Sequence, residues 1–259
     1  ARRYRFRLLN GCNSRFLILR IAADPIARPA TSALPFWQVG TEGGFLPAPL
    51  QLNTLLMGLA ERADVIVDFT GLAPGTQFYL INEGPDEPFG GGEFDPADHN
   101  TTGQVMQFTV VAPTSVDTSI PPASLVLPAL VPLGAETAPR RQISLNEAES
   151  ETVLASMDVN GNVVLDCGDG EPFGPTEATL GTVDFSMPGM PMGMPMMWSD
   201  PITENPALNA IETWEVYNFT MDAHPVHIHE VQFQVVNREV VDDMSPKFDP
   251  TLAPAGTLF

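Results

Sequence analysis

Apolar and polar residues alternate along much of this chain, and that alternation restricts its fold more than any other feature. In "RYRFRLLN", from Arg3, the side chains of Tyr4, Phe6 and Leu8 fall on one face and those of Arg3, Arg5 and Arg7 on the other. A period of two belongs to a half-buried strand, because successive side chains of an extended backbone point to opposite faces. The same reading predicts strands at 16–21, 63–69, 77–81, 105–111, 142–145, 163–165, 213–219 and 228–236. Between them lie turn clusters such as "GLAPGT" and "NEGPDEPFGGGEFDPADHN", while stretches with a helical period are scarce. Many short strands punctuated in this way predict an all-β protein built from Greek-key sandwiches or barrels.

A proline-rich passage between Ala112 and Arg141, "APTSVDTSIPPASLVLPALVPLGAETAPRR", interrupts the strands. Its prolines disfavour a central strand or a helix, so it reads as an extended connection. The predicted organisation is a first domain over 1–112, a linker over 113–139 and a second domain over 140–259. Few strands can be read beyond Val236, so the second domain is expected to be incomplete. The chain carries 12 Lys and Arg against 32 Asp and Glu, a net charge of -20. A phosphate backbone would be repelled over most of such a surface, which excludes nucleic acid as the expected partner. The charge also suits a secreted protein, and an extracellular, periplasmic or cell-envelope location is expected. Cys12 and Cys167 are too few for a disulfide framework, and each reads as a small buried apolar residue. The most apolar stretch, from Ser124, is shorter than a membrane span and is broken by Pro128 and Pro132, so no membrane partner is expected.

Three of the four histidines stand in "HPVHIH", residues 224–229. On a strand running through "HIHEVQFQVV", His227, His229, Val231, Phe233 and Val235 share one face, so two imidazoles head an otherwise apolar stripe. Pro225 biases His224 toward an extended conformation and removes a ladder donor, which places His224 on the loop entering the strand. A buried imidazole needs partners for both nitrogens, and a metal ion with an outer acceptor supplies them. Copper, zinc, iron and nickel all suit imidazole, and spacing alone does not choose among them. The plainer alternative is a polar strand whose histidines are hydrogen-bonded core residues.

The segment "ETWEVYNFTMDAHPVHIHEVQFQVVNRE" resembles the third cupredoxin domain of the multicopper oxidases, the laccase and bilirubin oxidase group, at its HPxHxH copper motif. Upstream, "RRYRFRLLNGCNSRF", "FWQVGTEGGFLPAPLQLNTLLMGLAERADVIVDF" and "VMQF" resemble the second domain of the spore-coat laccase and phenoxazinone synthase branch. "MMWSDPITENP" is similar to the start of the third domain in that branch. The resemblance implies two cupredoxin-like Greek-key β-sandwiches in tandem, with copper as cofactor. It implies His224 as a type 1 copper ligand with a catalytic part, His227 as a type 2 ligand and His229 as a type 3 ligand. It further implies one-electron oxidation of phenols, aromatic amines or metal ions, coupled to reduction of O2 to water.

That family also has a first domain with two HxH motifs and a C-terminal HCHxxxH segment with an axial Met; the one HxH in this sequence, His227 to His229, belongs to HPVHIH, and no HCHxxxH occurs. Neither cysteine is flanked by histidines. The expectation is a fragment of a larger oxidase that alone does not reduce O2, its partners being the missing domain and C-terminal segment. "MPGMPMGMPMMW", from Met187, concentrates soft thioethers that suit Cu(I), and copper-exporting relatives carry Met-rich inserts. Adaptable apolar packing in a loop is the plainer reading of the segment. "DVNGNVVLDCGD", from Asp158, has Val163 where a calcium loop needs glycine, so a hairpin turning at Asn160 and Gly161 is expected. His99, in a loop rich in Gly and Asp, is expected at the surface. No GxSxG, Walker or CxxC pattern occurs.

Overall fold

A computed structural model describes residues 1–240 and 247–248. Apart from one 3-10 turn, Pro122–Ser124, the regular structure among these residues is all strand. Two compact units are formed. One holds Ala1–Pro132 together with 222–235; the other holds Leu133–Met221 and continues from Val236. The division falls inside the proline-rich passage, and the histidine segment groups with the first unit rather than with the residues after 140.

The first unit contains β1 (Arg3–Leu9), β2 (Leu17–Ala22), β3 (Ser32–Leu34), β4 (Phe36–Thr41), β5 (Gly44–Leu52), β6 (Leu55–Met57), β7 (Arg62–Asp68), β8 (Gln77–Asn82) and β9 (Gln104–Thr109). One sheet has the order β1-β7-β4-β5; the other has β3-β2-β8-β9, with β6 also on β2. Neighbours distant in sequence, such as β1 beside β7, give the crossing pattern of a Greek-key sandwich. Period-two alternation explains the burial. In β7, Ala63, Val65 and Val67 face inward, where they meet Leu19 and Ile21 of β2, Phe36 of β4 and Phe78 of β8. Each such aliphatic or aromatic side chain contributes about 1.5–3 kcal/mol on burial. The arginines of β1 find partners on β7: Arg3 Nε lies 2.9 Å from Asp68 Oδ2, and Arg5 Nε donates to Asp64 Oδ1 at 2.7 Å. These cross-strand pairs add to the β1-β7 register.

Two buried asparagines hold backbone polar groups inside this sandwich. Asn10 is fully buried. Its Nδ2 donates to the carbonyls of Arg15 at 2.9 Å and Met57 at 3.1 Å, and its Oδ1 accepts from the Cys12 N–H. Asn82 Oδ1 accepts from the N–H groups of Ile18 and Gly84, both at 2.9 Å. In the proline-rich passage Asp117 receives the Arg3 N–H and both the N–H and hydroxyl of Ser119.

The second unit contains β10 (Arg141–Ala148), β11 (Leu154–Met157), β12 (Val163–Asp166), β13 (Glu171–Pro172), β14 (Glu177–Asp184), β15 (Met192–Pro195) and β16 (Trp214–Asn218). Its larger sheet has the order β15-β14-β10-β16, with β10 and β16 parallel, and the smaller has β12-β11-β13. Ile143, Ser144 and Asn146 of β10 are buried. The expected hairpin forms between β11 and β12: Asp158 accepts from the N–H groups of Asn160 and Asn162, and Gly161 takes the positive φ that the turn needs. Met187 to Met197 is not wholly a loop, since Met192–Pro195 pairs with β14. Cys167 is exposed and Cys12 partly so, unlike the buried residues expected. No helix among the described residues is long and apolar enough to cross a membrane.

Residues 228–236, predicted as a strand, do not form one. Glu230 has φ 67°, a left-handed conformation that turns the chain straight after His229 and breaks the alternation. No described strand pairs with the segment, so its apolar residues stay outside a core: Val231 is 60 % exposed and Phe233 47 %.

Candidate metal centre

Residues 222–235 are held to the first unit by contacts along their length. The Ala223 N–H donates to the Phe89 carbonyl at 2.8 Å. Pro225 packs where Gly58 has no side chain: a Cβ there would stand 3.1 Å from Pro225 Cβ and from Phe16 Cε1. Farther along, Gln232 Nε2 donates to the carbonyl of Gly43, in the turn between β4 and β5.

His227 and His229 come together. Their ring centroids are 4.9 Å apart with the planes at 86°. The expectation that both rings face an apolar interior is corrected, because both are exposed on a segment that is not a strand. His224 is exposed, three residues before His227 on the chain. Nδ1 of His227 lies 3.3 Å from Glu42 Oε2, and the same carboxylate accepts the Arg62 N–H and is paired with the Arg62 guanidinium. Sequence reasoning passed over Glu42, which stands far from the histidines along the chain and lies in no pattern with them. His99 is partly exposed, beside Asp98 and Asn100, as a loop histidine should be.

Among the described residues no group of three or more His, Cys, Asp or Glu side chains converges on one point. The described histidines thus give two adjacent imidazoles, with His224 three residues earlier on the chain, and no closed cage. Imidazole is a suitable copper donor.

Residues 172–252 match the family model for multicopper oxidase, and the histidine segment lies within that span. The chain is 30% identical over 241 residues to a laccase of Bacillus stratosphericus, covering 93% of this chain and 37% of that protein. It is 31% identical over 243 residues to the multicopper oxidase LPR1 homolog 1 of Oryza sativa subsp. japonica, covering 93% of this chain and 34% of that protein. Among solved structures, the McoA multicopper oxidase 2F4 variant from Aquifex aeolicus is similar at 29% identity and a TM-score of 0.44, over 57% of this chain and 29% of that one. Residues 172–252 thus carry the match to a multicopper oxidase domain, a family whose cofactor is copper, and the regular structure of the described residues is almost wholly strand. The chain spans about a third of the length of the curated relatives it matches.

Proposed function

We propose that this chain works within a longer laccase-like multicopper oxidase, to which it contributes His224 as a type 1 copper ligand, His227 as a type 2 ligand and His229 as a type 3 ligand. The observation that carries this is the HPVHIH segment, which stands inside the region matching the multicopper oxidase family and presents two adjacent imidazoles. Copper held by such a protein supplies one-electron oxidation of phenols, aromatic amines or metal ions and the reduction of O2 to water. The chain's own part is to place donors: Pro225, seated over Gly58, anchors the segment between His224 and His227, and the paired rings offer two nitrogens a short distance apart. Exposure of His224 suits a site where a small reducing substrate delivers electrons. The first-domain HxH motifs and the HCHxxxH segment complete the copper shells, and an extracellular or cell-envelope location fits the acidic surface.

In the longer enzyme, His224→Ala is expected to abolish the blue type 1 absorption while leaving trinuclear copper largely bound. Unchanged blue colour would sink the assignment. A second reading, cuprous oxidation for copper tolerance, is favoured by one observation: Met187, Met190, Met192, Met194 and Met197 are all exposed, two of them on β15. Removing them should then abolish Cu(I) oxidation and spare phenol oxidation. A noncatalytic copper-binding module is the third reading, and it predicts copper uptake with no oxygen consumption in the longer protein.

A further inference from the structure

Charge is shared unequally along the chain. Over residues 1–132, 8 Arg stand against 12 Asp and Glu; over 133–221, 2 Arg and no Lys stand against 14 Asp and Glu. From 142 to 237 the sequence holds no Lys or Arg at all. In the first unit guanidinium and carboxylate groups are matched across strands, Arg3 with Asp68, Arg5 with Asp64 and Arg20 with Glu83. In the second, Arg140 pairs with Glu136 and Glu215, and Arg141 with Glu212. Asp158 and Asp166 accept N–H groups of their own turns, which satisfies an oxygen and cancels no charge.

Apolar burial opposes the repulsion in one unit and hardly at all in the other. The core clusters around Ile21, Phe36 and Val65 and around Ile81 belong to the first unit, whereas Ile143 is the one buried apolar side chain among the described residues of Leu133–Met221. Every residue of β12 and β13 is exposed. A body of like charges with so small a core is destabilised by its own field. Salt removes that effect, because the screening length falls from about 10 Å at 0.1 M to about 3 Å at 1 M, below a strand spacing of about 4.8 Å.

We propose that Leu133–Met221 is a salt-dependent element, which takes its ordered form near about 1 M salt and opens at low ionic strength, while the first sandwich keeps its fold in both. The chain is thereby suited to a saline medium, and dilution releases one unit instead of unfolding the whole. Salt acts weakly on the first unit and in the opposite sense, since there it screens attractive pairs.

The test is amide hydrogen exchange on the whole chain in potassium chloride at about 0.1 M and about 1 M. Protection of β10 and β14 should rise at least about tenfold with salt, while that of β2 and β7 changes less than about threefold. Tetramethylammonium chloride should act as potassium chloride does, because screening needs no bound ion. A variant combining Glu151→Gln, Glu171→Gln and Glu177→Gln, all at exposed positions, should reach the same protection at lower salt. An equal rise in both units would mean that salt strengthens apolar burial generally, and a response to potassium alone would mean a bound cation; either result overturns the proposal. Protection of β10 and β14 that ignores salt, whether high or absent, overturns it as well. An unchanged salt requirement in the triple variant does the same.

Discussion

Asn10 concentrates in one buried side chain the hydrogen bonding of three backbone groups, the carbonyls of Arg15 and Met57 and the N–H of Cys12. Asn10→Ala leaves them without a partner, at about 1–3 kcal/mol for each group that stays dry. We expect the urea midpoint to fall with little change in the denaturant slope; an unmoved midpoint would mean that water replaces the amide. Asp117 makes a different prediction, about pH. The Ser119 hydroxyl first, then the N–H groups of Arg3 and Ser119, hold its carboxyl well below the usual carboxylate range. A depressed folded value means that its stabilising effect is complete above the unfolded value near ~4 and is lost as pH falls from there toward the folded value. The urea midpoint of Asp117→Asn should therefore fall less than that of the parent between pH 5 and pH 2.5. The histidines were legible in the sequence because their spacing is contiguous. Glu42 was not, because only the fold brings the β4–β5 turn to His227.

At the scale of strands, burial separates positions that look alike in the sequence. Leu19 on β2 lies in the core, whereas Val164 on β12 is exposed. Leu19→Ala should cost about 2–5 kcal/mol, and Val164→Ala should stay within about 0.5 kcal/mol, both read from urea unfolding. Equal effects would mean that the exposed face of β12 is covered in solution. The strands β1 and β7 were readable because apolar and polar residues alternate along each, and in β7 the apolar face is the buried one. β5 was not, since Pro47 and Pro49 argue against a strand; it forms because β5 is the edge of its sheet, where a missing outward N–H costs no ladder bond. The opposite error, at 228–236, arose because alternation specifies which face is apolar but supplies no neighbouring strand, and because Glu230 turns the chain.

For the whole molecule, the proposal that His224, His227 and His229 serve three different copper sites makes a plain prediction. Supplied with copper and a phenol, this chain alone should consume no oxygen at an electrode, while the longer oxidase should. Oxygen uptake by the chain alone would mean that the three imidazoles share one working site. The parallel pairing of β10 with β16 has a consequence in time. Arg141 and Trp214 are register partners, yet a ribosome making about 5–20 residues per second delivers the second roughly 4–15 s after the first. During that interval β14 can already cover one side of β10, but the other side waits as an open row of donors and acceptors. Chaperone binding to the nascent chain should therefore peak after β14 has emerged and fall once β16 arrives.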